Sequence, residues 1–338
     1  MEPILIWGAG AIGGTVGAYL VRAGRDVTFV DIEADHVAAI ADPARGLAIS
    51  GPVDSFTVTA PAFTPDRVKG TWRQIYLCVK AHHTREAAAA LLPHLAPDGY
   101  VVSLQNGLCE EIIADVVGRE RVIGAFVNFG ADWHGPGDIM FGNRAAVVVG
   151  ELDGRTTPRL TGLHATLRAF EPDAIITDDI YSYLWGKLGY GSMLFAQAVG
   201  QKGIADCLAR PELLGLWRRL GAEVMAVAKA EGVTPRGFNG FDPAAFTEGA
   251  SEAAAKASVD AMVAFNTGSA KTHSGVWRDL AVRKRRTEVD AQIAPIAEIG
   301  ARHGVACPTV RALVAMIHEV EDGKRPMTDD NLTELARA

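Results

Sequence analysis

A run of glycines, an aspartate, two lysines, an asparagine and a glutamate are the residues whose types and spacing could do chemistry in this sequence. Trp7-Gly8-Ala9-Gly10-Ala11-Ile12-Gly13-Gly14 directly follows the apolar run Ile4–Trp7 and opens a segment with helical spacing over 11–23. A dinucleotide-binding turn needs three glycines there. Gly8 would make the tight turn, Gly10 would let backbone approach a pyrophosphate, and Gly13 would let the helix pack close on the strand. The helix start adds unpaired N–H groups and a positive dipole end for phosphate. Glycine-rich turns also serve as plain connectors. The strand before, the helix after and an acidic residue beyond weigh for a cofactor site made by Gly8, Ala9, Gly10, Ala11, Ile12, Gly13 and Asp31.

Asp31 ends the second apolar run, 18 positions after Gly13, where a carboxylate can accept from the adenosine ribose hydroxyls. That favours NAD(H). At ~4 Å and an effective dielectric of ~20, a 2′-phosphate would be repelled by ~4 kcal/mol. A charged hydrogen bond returns only about 1.5–3 kcal/mol. NADP(H) stays open, because Lys80 closes the run 75–79 near the same edge and could offset the repulsion or hold phosphate itself. The plainer reading of Asp31 is a cap on the next helix.

Ligands of open α/β sheets bind outside the carboxyl ends of the strands. Lys80 and Gln105-Asn106-Gly107 fall at such ends. Asn106 could face the nicotinamide, although Asn-Gly is equally a turn pair. His82 and His83 read as solvated residues of an exposed loop. Farther on, Leu184, Leu188, Gly191, Phe195 and Ala198 recur at helical spacing within 181–199 and predict one buried face, with Lys187 beside it. Such a lysine either snorkels to water, the commoner fate, or sits in a cleft with a partner and works as an acid. Reducing a ketone requires a proton at the developing alkoxide, which an ammonium both stabilises and supplies. Glu288 is a candidate partner for it, or equally a helix-terminal acid or a surface ion pair. The neighbouring run Arg283-Lys284-Arg285-Arg286 reads as a solvated face.

The elements that must position these groups follow from the pattern. Strands are expected over Ile4–Trp7, 27–31, 75–79, 100–104 and 121–126, with helices over 11–23, 85–95 and Glu110–Val117, the alternation of a parallel sheet with crossover helices. Residues 128–151 break into short strands at turn residues and predict antiparallel strands added at the sheet edge. After Thr177 strand signals stop and apolar positions fall three and four apart. The expected organisation is therefore a Rossmann-type α/β dinucleotide-binding domain over 1–177 and an all-helical substrate domain over 178–338. A polar tail from Gly323 is expected to fray.

Composition narrows the function classes. The 338 residues are 49% hydrophobic and 22% charged, ordinary globular usage that excludes a disordered chain. Forty acidic against 33 basic residues give a net charge of −7, which argues against a nucleic-acid partner. Four cysteines without paired spacing argue against a metal cluster or disulfide framework and for a reducing compartment. No apolar stretch approaches the ~18 residues that a membrane span needs, and no basic segment precedes the first apolar run. The expectation is a soluble, cytoplasmic protein without membrane or metal partners; oligomeric state stays open, a homodimer included.

Six ordered motifs together resemble the ketopantoate reductase (2-dehydropantoate 2-reductase) family across nearly the full length. They are Gly8-Ala9-Gly10-Ala11-Ile12-Gly13, Val79-Lys80-Ala81, Gln105-Asn106-Gly107, Pro136-Gly137 leading to Gly150-Glu151, Trp185-Gly186-Lys187-Leu188, and Arg286-Thr287-Glu288-Val289-Asp290. The resemblance implies a Rossmann domain followed by a helical domain, and a nicotinamide-dependent oxidoreductase interconverting a 2-oxo acid and a 2-hydroxy acid. It implies Lys187 as general acid, Glu288 as the carboxylate organising substrate and lysine, Asn106 near nicotinamide and substrate, and Lys80 on the cofactor side.

Departures from the family pattern concern the substrate positions. Gly191 and Phe195 stand where the family carries substrate-binding asparagines, and Ile293-Ala294 where it usually has Asn-Gly. Ser274, in His273-Ser274-Gly275-Val276-Trp277, would take the role of the family's substrate serine, with a one-residue shift before Glu288. Family members that make pantoate typically use NADPH and carry a basic residue where Asp31 stands. The expected pocket is more apolar and suits a bulkier or less hydroxylated 2-oxo acid, with ketopantoate itself the close competitor. A third reading, a dinucleotide-sensing protein without catalysis, is disfavoured by the intact Lys187 and Glu288.

Overall fold

A computed structural model describes residues 2–337 of the protein. It divides into two compact units, one ending at Ile180 and the next beginning at Tyr181. The first unit alternates strands and helices: β1 (Ile4–Trp7), α1 (Ala11–Arg22), β2 (Val27–Val30), α2 (Ala34–Ala41), β3 (Leu47–Ser50), β4 (Phe56–Val58), β5 (Ala62–Phe63) and β6 (Trp72–Leu77). There follow α3 (Thr84–Leu91), β7 (Leu95–Ser103), α4 (Glu110–Val117), β8 (Val122–Val127), β9 (Gly130–Gly135), β10 (Asp138–Asn143), β11 (Val147–Glu151), α5 (Pro158–Leu167) and β12 (Ile175–Ile176).

Among the described residues the main sheet has the order β12-β11-β8-β7-β6-β1-β2-β5. The strands β2, β1, β6, β7 and β8 pair in parallel. Every residue of β1 and β2 is buried, as parallel strands covered on both faces require. The chain leaves β1 toward β2 and later returns on the other side of β1 as β6, so the strand order reverses at β1. Trp7 pairs with both Val30 and Leu77, and Leu77 with Ser103. Four strands therefore end level, and the loops after them open on one edge.

Three expectations are corrected here. Residues 128–151 do not all join the edge of the main sheet. Only β11 does so, antiparallel to β8; β9 and β10 form a second sheet of order β4-β3-β10-β9. The reason lies in α1, where Gly14 leaves no room for a Cβ because Ile139 of β10 would lie 2.4 Å from it. The second sheet thus packs its apolar face on the helix. The helix expected over 85–95 stops at Leu91, because Pro93 follows within a 3-10 turn and cannot continue an α-helix; β7 starts at once, at Leu95. The third correction is the polar tail, which ends in a docked helix described below.

The second unit is helical: α6 (Ile180–Gln197, starting at the boundary), α7 (Ile204–Leu208), α8 (Leu214–Ala230), α9 (Glu252–Thr267), α10 (Gly275–Ala281), α11 (Val289–Gln292), α12 (Ala294–Arg302), α13 (Pro308–Glu321) and α14 (Asp330–Arg337). The fully buried Trp217 of α8 lies in its core. Helix α14 buries Leu332 and Leu335, and Asn331 Nδ2 donates to the carbonyls of Val199 at 2.9 Å and Pro326 at 2.8 Å. Those contacts hold the tail. Among the described residues no helix is long and apolar enough to cross a membrane.

Candidate active site

The glycine loop lies at the point where the strand order reverses. Gly8 adopts φ +100°, and a Cβ on it would sit 2.8 Å from the Val79 nitrogen, so this turn admits glycine alone. A Cβ at Gly13 would lie 2.0 Å from the Gly8 oxygen and 2.9 Å from Ile6 and Cys78 atoms, which is the close helix–strand packing expected of it. Gly10 differs: a Cβ there meets nothing within 4 Å. The loop therefore leaves an open cradle beside the start of α1. No acidic residue occupies the first turn of α1 and no side chain caps it, so its leading N–H groups and positive dipole end suit an anion. This cradle fits the pyrophosphate of a dinucleotide.

Ala9, between these glycines, is buried, and its backbone is held on both sides. Its N–H donates to Asp31 Oδ2 at 2.7 Å, and its carbonyl contacts His36 Nε2 at 2.8 Å. Asp31, half-buried, also accepts from the Glu33 N–H at 3.0 Å, next to the start of α2. Besides the ribose binding or helix capping that the sequence offers for Asp31, the carboxylate fastens the glycine loop and the approach to α2. Beside it, Ile32 is 72% exposed. His36 was not anticipated. Its Nδ1 accepts from the Gly137 N–H at 2.9 Å, which leaves Nε2 as the donor to Ala9, and so the buried ring ties the loop to the β9–β10 turn.

Along the same edge, Lys80 is half-buried and precedes a 3-10 turn over Ala81–His83, while His82 and His83 are exposed. Asn106 is half-buried before Gly107, which has φ +92°, and the chain bends at the pair. Gln105 Nε2 donates to the Val79 carbonyl at 3.0 Å and to Thr84 Oγ1 at 2.9 Å. That bridge fixes the Lys80 and Asn106 segments to each other. Apolar surroundings push the nearby Cys78 thiol well above its ordinary pKa, leaving it protonated and inert.

In the second unit, α6 is buried around most of its circumference. From Tyr183 onward its half-exposed residues are Tyr183, Lys187, Gly191 and Leu194, spaced as one stripe. This corrects the expected pattern: Gly191 does not belong to the buried face with Leu184, Leu188, Phe195 and Ala198, but lies in line with Lys187. The cause is the pair Gly186 and Gly189. A Cβ at Gly186 would lie 2.2 Å from the Arg236 oxygen, and one at Gly189 2.8 Å from Met225 and Phe241 atoms. Neighbouring chain covers what would otherwise be the outer side, and Lys187 marks the side left open. A Cβ at Gly191 meets nothing within 4 Å, whereas Phe195 is 2% exposed. Nearby Tyr190 exchanges hydrogen bonds with Asn266 at 3.0–3.2 Å, and burial pushes its phenol up to about 12.

Ser274 and Glu288 lie at the two ends of the span from α10 to α11. Ser274 is buried and caps α10, its Oγ accepting from the Trp277 N–H at 3.1 Å. Glu288 is buried and occupies the N-cap position of α11 without a side-chain cap bond. The basic run between them is not merely a solvated face. Arg283 and Arg285 reach the buried Asp279 at 3.1 and 3.0 Å, and Arg286 reaches Glu321 at 3.0 Å and Asp322 at 2.7 Å. Buried carboxylates need such partners, and these arginines supply them.

Comparison with known proteins accords with this layout. The family model described as Ketopantoate reductase PanE/ApbA matches residues 4–154, and its C-terminal counterpart, Ketopantoate reductase PanE/ApbA C terminal, matches residues 179–321. The 2-dehydropantoate 2-reductase of Archaeoglobus fulgidus is 27% identical over 325 residues, covering 96% of this chain and 99% of the relative. A PanE/ApbA family ketopantoate reductase structure from Ralstonia eutropha JMP134 superposes with a TM-score of 0.78 at 27% identity, covering 95% of this chain and 99% of that one. The fold is shared as well by a D-mandelate dehydrogenase solved with NADH and anilino(oxo)acetate, with a TM-score of 0.82 at 21% identity over 95% of this chain and 98% of the other. With both halves matched in order, the chain belongs to the ketopantoate reductase family of oxidoreductases.

Proposed function

We propose that this oxidoreductase reduces a 2-oxo acid to the 2-hydroxy acid with NADH, and that Lys187 donates the proton. The observation that carries the reading is the position of Lys187 on the open stripe of an otherwise buried helix, in line with the unfilled space at Gly191. When bound, the dinucleotide supplies the hydride. The chain supplies the rest. Backbone N–H groups at the start of α1 bind the pyrophosphate, and the Asp31 carboxylate selects a free ribose hydroxyl over a 2′-phosphate. The Lys187 ammonium stabilises the developing alkoxide and passes a proton from Nζ to that oxygen. Glu288, a buried carboxylate, favours the protonated lysine before each turnover. Asn106 and Lys80 bind on the dinucleotide side. Ser274 accepts from a backbone N–H, so its own hydroxyl proton stays available to the acid's carboxylate.

The substrate follows from Gly191, where the open stripe has space in line with Lys187, whereas Phe195 packs in the buried face. Space in place of an amide at Gly191 favours an apolar side chain on the acid over the hydroxylated one of ketopantoate, while the 2-dehydropantoate 2-reductase relatives favour ketopantoate itself. Steady-state kinetics with ketopantoate, phenylglyoxylate and 4-methyl-2-oxopentanoate, each with NADH and NADPH, separate the two. The reading expects the apolar acids to lead in kcat/KM, and NADH to exceed NADPH by about tenfold or more, a difference of ~1.4 kcal/mol. An NADPH preference would overturn the role of Asp31. Failure to reduce any 2-oxo acid, with dinucleotide binding intact, would favour a sensing protein. The setting proposed is the cytoplasm.

A further inference from the structure

A carboxylate that the chemistry above does not use sits behind Glu288. Glu321, the last residue of α13, has a side chain only 1% exposed. Its Oε1 accepts from both the backbone N–H and the Oγ1 of Thr287, each at 2.7 Å, and its Oε2 accepts from Arg286 Nη1 at 3.0 Å. Thr287 Oγ1, its proton spent on Glu321, accepts in turn from the Val289 N–H at 3.2 Å. The Glu288 carbonyl takes the N–H groups of Ala291 at 3.0 Å and Gln292 at 2.9 Å. The peptide that follows Glu288 is therefore held through both its carbonyl and its N–H, and one buried carboxylate from a different helix anchors the residue before it.

The other end of the segment is tied as well. Asp279 of α10, 1% exposed, holds Arg283 and Arg285 through its carboxylate and the Arg285 N–H through its carbonyl at 3.0 Å. Between these ties Lys284 takes φ +49°, a conformation that a non-glycine residue keeps only where its surroundings impose it. Burying a carboxylate is costly unless several donors meet it. Glu321 meets three.

We propose that Glu321 is a positioning residue for the reaction: through Thr287 it fixes where Glu288 presents its carboxylate to Lys187 and the substrate. The proposal rests on the catalytic reading of Glu288. Replacing Glu321 by Gln keeps the shape but leaves one acceptor where there were two, so Thr287 and Arg286 compete for it and the anchor on Thr287 is weakened. A displacement of about 1 Å in a catalytic group costs as much as ~10²-fold in rate.

The test is a double-mutant cycle on the full-length chain with NADH and the best 2-oxo acid of the panel. Glu321→Gln and Thr287→Val are each expected to lower kcat by about tenfold or more, with NADH affinity measured by fluorescence within about twofold of wild type. Thr287→Ser, which keeps both hydrogen bonds of the hydroxyl, should restore activity to within about threefold of wild type. Because Glu321 acts through Glu288, adding Glu321→Gln to Glu288→Gln should cost nothing further. A purely structural effect would add fully in that background and would overturn the proposal, as would wild-type kinetics in Glu321→Gln. If that variant does not fold, Thr287→Val and Thr287→Ser carry the same comparison. Wild-type kinetics in Glu288→Gln would instead remove the catalytic reading on which the proposal rests, an outcome distinct from loss in Glu288→Gln with no effect of Glu321→Gln.

Discussion

Asp31 and His36 divide the work of holding one residue, Ala9, by its N–H and its carbonyl. Asp31→Ser would remove the charge opposed to a 2′-phosphate, and the ratio of NADPH to NADH kcat/KM is expected to rise ~10²-fold, less than the full electrostatic limit because a hydroxyl still serves the loop. His36→Ala leaves the Ala9 carbonyl and the Gly137 N–H without their ring partner in a buried place, so it should cost about 2–4 kcal/mol in denaturant unfolding. An unchanged unfolding midpoint would show that water replaces the ring. The two residues also show what spacing can reveal. Asp31 was found because a carboxylate at a strand end has a meaning in the chain itself. The role of His36 depends on a turn 101 residues away, and no local pattern encodes that partner.

Helix α6 shows the same limit for whole elements. Its helical period was legible, and so was the presence of Lys187, but the side left open was not. That side is decided by Arg236, Met225 and Phe241 packing where Gly186 and Gly189 carry no side chain, and the sequence of the helix alone contains no record of them. The parallel strands of the first unit were legible because they are buried on both faces and read as unbroken apolar runs; the short β3, β4 and β5 lack that signature. Gly186→Ala is expected to destabilise the protein by about 1–3 kcal/mol, since its Cβ would press on backbone that cannot move aside as a side chain can. Gly191→Asn behaves oppositely. There is room for it, and asparagine is a somewhat better helix former than glycine, so the thermal midpoint should hold or rise. Selectivity should move toward ketopantoate by about tenfold, as a new polar group meets its hydroxyl. Unaltered substrate ratios would place the substrate elsewhere than at Gly191.

At the scale of the whole molecule, burial of tyrosines in both units sets an alkaline limit. Burial is the main reason that the phenols of Tyr19, Tyr100 and Tyr190 are each pushed up to about 12 from an ordinary 10. Below pH 10 both folded and unfolded chains keep these protons. Between pH 10 and 12 the unfolded chain loses them first, so it binds fewer protons and stability falls as pH rises. Urea midpoints should decline steeply across that window, and Tyr190→Phe should flatten the decline without altering it below pH 9; an equal decline in the variant would contradict the assignment. In the proposed reaction the proton comes from Lys187. The most direct measurement is kcat for 2-oxo acid reduction by Lys187→Ala, with NADH affinity determined on the same preparation. A fall of ~10²-fold or more with affinity within about twofold is the predicted result. Turnover near that of wild type, at any pH where the protein is folded, would contradict it.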